Sequence, residues 1–220
     1  MRLVEVIACS VEDAVAAERG GASRLEIVRD LEVGGLTPSA SLVREIVAAV
    51  TIPLRVMVRD NGGFGVSGEE EIANLCRAAR EFADIGVDGI VLGFLRGREL
   101  DLPLTERILS HAQGVKATFH RAFEELADPQ AAIAALKGVR QIDHILTSGA
   151  PAHLDRLAGI AAPEIQILAG GGVTPEVIRT LLKTTAIGEF HVGRAARHGH
   201  DIHQPVDAER VRALVELVAG

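Results

Sequence analysis

Five polar side chains interrupt short apolar, β-branched runs of this 220-residue sequence. They comprise two carboxylates, two imidazoles and one guanidinium, and are Glu5, Glu26, His120, His191 and Arg59. Carboxylates and imidazoles can remove and return protons, and a guanidinium can fix a carboxylate, a hydroxyl or a phosphate group. If the fold brings these groups together, the glutamates are candidate bases and the histidines candidate acids or hydrogen-bond donors. Arg59 is then a candidate substrate-binding residue.

The runs that carry these side chains alternate with longer helical patterns from end to end, which indicates repeated βα units and a parallel sheet. The eight predicted strands are Leu3 to Ala8, Arg24 to Val28, Leu54 to Arg59, Gly89 to Phe94, Lys116 to His120, His144 to Thr147, Ile165 to Ala169, and Glu189 to Val192. Eight strands favour one α/β domain over residues 1–220, a closed (β/α)8 or TIM barrel. The alternative is a flavodoxin-like doubly wound sheet, which commonly has five or six strands.

Cap residues mark the beginnings of several helices between these strands. Ser10 is followed by Asp13 three positions later, while Thr37 and Thr174 each precede a proline that suits a first helical turn. The segment from Val206 to Val218 predicts the eighth helix.

In a TIM barrel the active site lies at the carboxyl ends of the strands, and every second strand residue points inward. This alternation places all five polar side chains on the inner face, where branched aliphatic residues are usual. We therefore predict an acid–base site for a small anionic or sugar-like substrate, of isomerase, aldolase or lyase type. The alternative is a buried network in which Arg24, Arg55 and Arg59 pair with the two glutamates, since unpaired buried ions are costly.

Three loops at the same end of the barrel are candidate binding elements. Gly170, Gly171 and Gly172 follow the seventh predicted strand, and Gly193 with Arg194 follows the eighth, where many barrels bind phosphate. A tight turn that needs small residues is the alternative for the glycines. The loop 60–68 carries four glycines and Phe64, which is typical of a mobile lid or of a flexible surface loop.

Metal-binding donors are sparse in the sequence. The segment that contains His198, His200, Asp201 and His203 could bind a divalent ion, or be a solvated loop. Copper(I) prefers thiolates and thioethers, of which the chain has few. Cys9 lies near a strand end, whereas Cys76 falls in an amphipathic helix and suggests a buried structural role.

The composition predicts which partners the protein lacks and which cell compartment it occupies. The 23 Lys and Arg residues against 30 Asp and Glu give a net charge of −7, without the basic block that nucleic acids or anionic membranes require. An apolar run near 18 residues and a signal-peptide pattern are both absent from the sequence, so we expect no membrane span. Two cysteines fit a reducing cytoplasm.

Several motifs together resemble the copper homeostasis protein family CutC. They are the runs Val4-Glu5-Val6, Glu18-Arg19-Gly20-Gly21-Ala22-Ser23-Arg24-Leu25-Glu26, Gly34-Gly35-Leu36-Thr37-Pro38-Ser39, Thr118-Phe119-His120-Arg121-Ala122-Phe123, Leu146-Thr147-Ser148-Gly149 and Glu189-Phe190-His191. The resemblance covers nearly the whole chain and implies a cytoplasmic TIM barrel, often a dimer, whose family name is taken from copper tolerance and carries no agreed reaction. It implies a barrel-mouth pattern that includes Glu5, Ser10, Glu26, Arg59, Thr118, His120, Arg121, Ser148 and His191.

The chain departs from the family pattern where the family's copper(I) role depends on cysteine. Family members proposed to bind copper(I) carry cysteines near the ends of the first two strands, and the matching residues here are Ile7 and Val28. Cys9 is the substitute ligand that the sequence offers. The family's Arg-Pro-Arg-Gly-Gly-Asp-Phe loop is represented by residues 59–64 without the second arginine, and Gly193-Arg194 replaces a Ser-Ala pair.

Overall fold

A computed structural model describes residues 2–220 of the chain as a closed parallel barrel of eight strands surrounded by helices. The barrel strands are β1 (Leu3–Ala8), β2 (Arg24–Ile27), β3 (Leu54–Met57), β4 (Gly89–Leu92), β7 (Lys116–Phe119), β8 (Ile142–Thr147), β9 (Gln166–Ala169) and β10 (Glu189–Val192). Between β4 and β7, β5 (Leu95–Arg96) and β6 (Glu99–Leu100) form a separate two-stranded sheet. Each barrel strand pairs with the next along the chain, and β10 closes the barrel on β1. The predicted α/β class and TIM barrel are confirmed.

Eight helices cover the outside of the barrel. They are α1 (Val11–Arg19), α2 (Ala40–Ala49), α3 (Glu69–Ile85), α4 (Leu102–Leu109), α5 (Pro129–Leu136), α6 (Pro151–Ala161), α7 (Pro175–Thr184) and α8 (Ala208–Ala219). None of the helices within residues 2–220 is long and apolar enough to cross a membrane. The main core lies between barrel and helices, because alternate strand residues such as Val4, Val6, Leu25 and Ile27 point outward and are buried there.

Two of the three predicted helix caps are confirmed and one is wrong. Ser10 accepts the backbone N–H of Asp13, and Thr174 caps α7, which begins at Pro175. Thr37 does not cap α2. Ser39 is the cap residue, since its hydroxyl accepts the backbone N–H of Leu42, and the helix begins at Ala40.

The Thr37 hydroxyl instead joins two chain segments at the carboxyl end of the barrel. It donates to the carbonyl oxygen of Arg59 at 2.9 Å and accepts the Arg59 backbone N–H at 2.8 Å. Thr37 therefore holds the end of β3 against the loop that follows β2.

Four of the eight barrel strands, β2, β3, β4 and β7, end one or two residues earlier than predicted. His120 follows β7 directly and Arg59 lies two residues beyond β3, so both still lie at the carboxyl end of the barrel. A short antiparallel pair, β5 with β6, was not predicted because each strand has two residues, too few for a periodic pattern.

Candidate active site

Neighbouring strands place a buried ion pair and an imidazole around Glu5 inside the barrel. The register sets Glu5 of β1 opposite His191 of β10 on one side and Arg24 of β2 on the other. One Glu5 oxygen, Oε1, lies 2.8 Å from His191 Nδ1, and Oε2 accepts Arg24 Nε–H at 2.5 Å. Burial would raise the pKa of Glu5, but Arg24 and then His191 hold it well below its usual value. Glu5 is therefore an ionised residue whose two oxygens are already engaged.

Glu26 is the second carboxylate on the inner face, and its surroundings differ sharply. It is 3% exposed, and its Oε1 atom has no hydrogen-bond partner among residues 2–220. Its Oε2 atom lies 3.7 Å from His191 Nε2, too far for a hydrogen bond. Burial raises the pKa of Glu26 to about 7, although His191 acts in the opposite direction. This carboxyl can thus gain or lose a proton near neutral pH.

His120 is a neutral imidazole whose Nε2 atom is buried and carries the ring proton. Its Nδ1 atom accepts the backbone N–H of Ala122 at 3.1 Å, so the ring proton of the neutral imidazole is on Nε2. Burial, together with the charge of Arg59, lowers the pKa of His120 to about 3. Nε2 is buried and has no partner among the described residues. His120 is therefore a neutral hydrogen-bond donor.

Gly93, which sequence reasoning missed, leaves the room that the His120 ring occupies. A Cβ atom at Gly93 would lie 2.5 Å from His120 Nδ1 and 2.8 Å from Cε1. A larger residue would push the imidazole away from Ala122. A glycine near the end of the predicted strand Gly89 to Phe94 was the available signal.

Arg59 holds the loops that cover this end of the barrel. Its guanidinium donates to carbonyl oxygens of Gly62 and Gly63 in the loop after β3, and of Gly35 in the loop after β2. Its Cζ atom lies 5.0 Å from the centre of the Phe64 ring, and Phe64 lies 5.3 Å from the His120 ring. Phe64 thus packs against His120, and the hydrogen bonds of Arg59 hold the loops. Whether the loop 60–68 acts as a lid stays a prediction.

A second charged network lies nearer the amino ends of the strands and was not predicted as a unit. Arg55 forms a two-pronged ion pair with Asp143 at 2.8 and 2.9 Å. His144 faces carboxylates through both nitrogens, Asp143 at 2.7 Å and Glu189 at 2.8 Å. Burial would lower the pKa of His144, but these two hydrogen bonds raise it. Arg24 links the networks, since its Nη1 lies 3.3 Å from His144 Nε2.

The predicted ion-pair alternative is accordingly correct for only one pair. Arg24 pairs with Glu5, but Arg55 pairs with Asp143 and Asp88 rather than with a glutamate, and Arg59 bonds to carbonyl oxygens. The alternation along a strand predicts which side chains point inward, but it does not predict which of them form ion pairs.

Other predicted binding residues flank the site or support it. Thr118 is buried and accepts from Arg55 at 3.3 Å. Arg121 forms a two-pronged pair with Glu124. Burial would raise the pKa of Glu124, but hydrogen bonds from Arg121 and Ser148 lower it. Arg194 is exposed at the start of a short 3-10 turn, Arg194–Ala196.

Packing explains three of the four predicted loop glycines. A Cβ at Gly170 would lie 2.5 Å from Leu146, one at Gly171 would lie 2.7 Å from Ser148, and one at Gly193 would lie 3.0 Å from Ile7. Gly172 has a φ of +92°, which favours glycine. Their role in anion binding stays a prediction.

A family comparison decides where this barrel belongs. The model of the CutC family matches residues 2–196. The chain belongs to the CutC family. Relatives include a CutC family protein from Xylella fastidiosa, 33% identical over 237 residues that cover 98% of this chain and 88% of the relative. The human copper homeostasis protein cutC homolog is 34% identical over 197 residues, covering 86% of this chain and 72% of the relative.

Solved structures agree with the CutC assignment. The crystal structure of CutC from Streptococcus agalactiae matches with a TM-score of 0.81 and 28% identity, covering 87% of this chain and 98% of that one. Phosphoribosylanthranilate isomerase from Thermotoga maritima matches with a TM-score of 0.64 and 14% identity, a likeness of fold alone.

In this CutC chain, the residues at the family's cysteine positions do not fit copper(I). Ile7 and Val28 form an apolar cluster with Met57 and Val91 inside the barrel. Cys9 packs against the cluster, and burial raises the pKa of its thiol to about 11. Copper(I) requires soft ligands, and a thiol must lose its proton to ligate strongly. One protonated thiol beside a thioether is a poor donor set.

The other CutC residues with metal-ligand chemistry fall into two groups. Glu5, Glu26 and His191 offer atoms that all lie within 4.8 Å of one another, but Glu5 is already bonded to Arg24 and His191. The histidines of the 198–203 segment are not gathered into a common site; His198 faces Asp207 at 3.7 Å, and His200 contacts Arg210 at 3.1 Å.

Proposed function

We propose that this CutC family member is an enzyme that moves a proton on a small anionic or sugar-like substrate bearing a carbonyl group. The observation that carries the proposal is Glu26, a buried inward-facing carboxyl with one unpartnered oxygen and a pKa near 7. A general base works best when its pKa is close to the working pH. The resulting step is common to isomerases, aldolases and lyases.

Two of the buried unpartnered atoms, Glu26 Oε1 and His120 Nε2, have complementary roles in such a step. Glu26 Oε1 accepts a proton from the carbon next to the substrate carbonyl. The electrons of the broken bond move to the carbonyl oxygen, where His120 Nε2–H donates a hydrogen bond to the growing negative charge. The Glu26 carboxyl then returns the proton to the neighbouring position or to a leaving group.

The candidate active-site side chains are almost completely buried, which favours a small substrate. Glu26, His120 and His191 are each no more than 7% exposed, and Phe64 lies over the His120 ring. The chain has no Trp or Tyr, so it offers neither of those rings for stacking on a sugar. Hydrogen bonds and charge must therefore hold the substrate. In this proposal the Phe64 loop opens to admit the substrate and closes to exclude water.

An exchange screen in heavy water tests the proposal without knowledge of the product. The full chain is incubated with aldoses, ketoses, their phosphates and small hydroxy and keto acids, and proton NMR follows deuterium uptake beside the carbonyl. We expect stereospecific exchange with at least one compound. Absence of exchange across the panel would contradict the proposal.

Copper(I) titration against a competing chelator tests the function that the relatives' name suggests. Because Ile7 and Val28 cannot ligate a metal and the Cys9 thiol is held protonated, we expect no tight stoichiometric site. A Cys9→Ser variant is the matched control and should titrate like the unchanged chain. Sub-micromolar 1:1 binding that the variant abolishes would overturn this expectation.

A further inference from the structure

His191 stands between two carboxylates whose environments are opposite. Its Nδ1 lies 2.8 Å from Glu5 Oε1, and its Nε2 faces Glu26 Oε2 at 3.7 Å. The Glu5 carboxylate is fixed by Arg24, whereas Glu26 has no hydrogen bond from a cation. Since both ring nitrogens face acceptors, the geometry suits a ring that carries a proton on each nitrogen.

The balance of buried charge also favours a charged ring. The ionisable groups around His191 are Glu5 on β1, Arg24 and Glu26 on β2, and the Cys9 thiol beyond β1, which is protonated at neutral pH. With both glutamates ionised, Arg24 supplies one positive charge against two negative charges. An imidazolium at His191 brings this buried set to neutrality, which the low-dielectric interior requires.

We propose that Glu5 and Arg24 are positioning residues that hold His191 as an imidazolium, and that this imidazolium is the counter-ion that keeps Glu26 available as a carboxylate base. The inference rests on the proposed function and adds a role for His191 as counter-ion, in place of the acid role expected from sequence. Glu5 fixes the ring by accepting from Nδ1, and Arg24 fixes Glu5. His191 then directs its second N–H toward Glu26.

The direction of the pKa changes agrees with this arrangement. Burial would lower the pKa of His191, but Glu26 and Glu5 raise it. The same His191 charge opposes the rise that burial imposes on Glu26. Without His191, the Glu26 carboxyl would hold its proton to a higher pH and would be a base in a smaller fraction of molecules.

NMR titration of the full chain, with carbon-13 in glutamate carboxyls and nitrogen-15 in histidine rings, tests the inference without any substrate. In a His191→Asn variant we expect the pKa of Glu26 to rise by about one unit or more, because an opposite charge at this range is removed. In a Glu5→Gln variant, which keeps an oxygen acceptor for Nδ1, we expect His191 to lose its second proton at lower pH than in the unchanged chain.

A Glu189→Gln variant is the matched control, because it removes a carboxylate from His144 rather than from His191. It should leave both the Glu26 and His191 titrations in place. A neutral His191 at pH 6 in the unchanged chain, or an identical Glu26 titration in His191→Asn, would overturn the inference.

The outcomes separate this inference from the proposed function. If the exchange screen fails while the titrations shift as expected, the counter-ion arrangement stands and the proposed reaction falls. If exchange is found but the titrations do not move, the reaction stands and His191 has another role. Should His191→Asn fail to fold, Glu5→Gln decides the inference through the His191 titration.

Discussion

Replacing Glu26 with glutamine is expected to lower the rate of substrate deuterium exchange by about 10²- to 10⁴-fold, the usual contribution of a positioned acid–base group. Glutamine keeps the shape of the side chain but cannot accept the proton. In the proposed reaction the active form is the carboxylate, so the exchange rate should increase with pH through about 7, the pKa to which burial raises Glu26. Rates measured from pH 5 to 9 check both expectations.

The same substitution should stabilise the fold at high pH. The pKa of Glu26 is about 7 in the folded chain and near 4.5 when unfolded, so the folded state holds the proton more tightly. Stability contributed by the protonated group is full at low pH and is lost as pH rises from the unfolded pKa through the folded one. Glutamine has no proton to lose, so we expect a higher melting temperature than the unchanged chain at pH 8 and a smaller difference at pH 5.

Glu209→Gln is the control for both measurements, because Glu209 is exposed on α8 and far from the barrel interior. It should change neither the exchange rate nor the pH dependence of melting. If Glu26→Gln exchanged deuterium as fast as this control, Glu26 would not be the base.

Replacing Asp13 with alanine is expected to reduce the free energy of unfolding by about 3–5 kcal/mol, the usual effect of removing one partner of a buried ion pair. Asp13 and Arg197 are 4% and 3% exposed, and Oδ2 of Asp13 accepts from Arg197 at 3.0 Å. Asp13 also accepts the backbone N–H groups of Cys9 and Val206. The substitution leaves the buried Arg197 guanidinium with carbonyl oxygens of Ile7 and Gln204 but no carboxylate, and it leaves two backbone amides without their acceptor.

Urea unfolding followed by far-ultraviolet circular dichroism measures this loss. Glu209→Ala breaks the exposed ion pair with Arg212 and should cost less than about 1 kcal/mol. A double variant, Asp13→Leu with Arg197→Met, should recover part of the loss because no unpaired charge remains. A loss in Asp13→Ala no greater than in the exposed control would show that Arg197 finds another partner.

Repetition along the chain made the barrel predictable. Apolar runs separated by helical patterns give eight βα units, and the alternation within a strand places Glu5, Glu26 and His191 on the inner face without knowledge of their neighbours. The barrel register then brings Glu5 beside His191, although 186 positions separate them. The two-residue period of a strand was enough to predict which side chains point into the barrel.

The partners of those residues depend on three-dimensional packing and were mostly missed. The pairing of His144 with Glu189, and of Asp13 with Arg197, joins distant segments that carry no common motif. The capping error at Thr37 arose because its hydroxyl bonds to Arg59 across a loop, a contact that local propensity does not encode. Capping and propensity rules consider only the residues of one segment. They cannot include a hydrogen-bond partner that the fold brings in from another segment.

The seam between β1 and β10 has a consequence for the growing polypeptide. Glu26 is made early in synthesis, but His191 lies on the last strand, which pairs with the first. A nascent chain that lacks residues 189–192 has the glutamates and Arg24 but no imidazole between them. The cluster of Glu5, Glu26 and His191 therefore becomes complete only when the two ends of the barrel meet, and a chain cut before residue 189 lacks it.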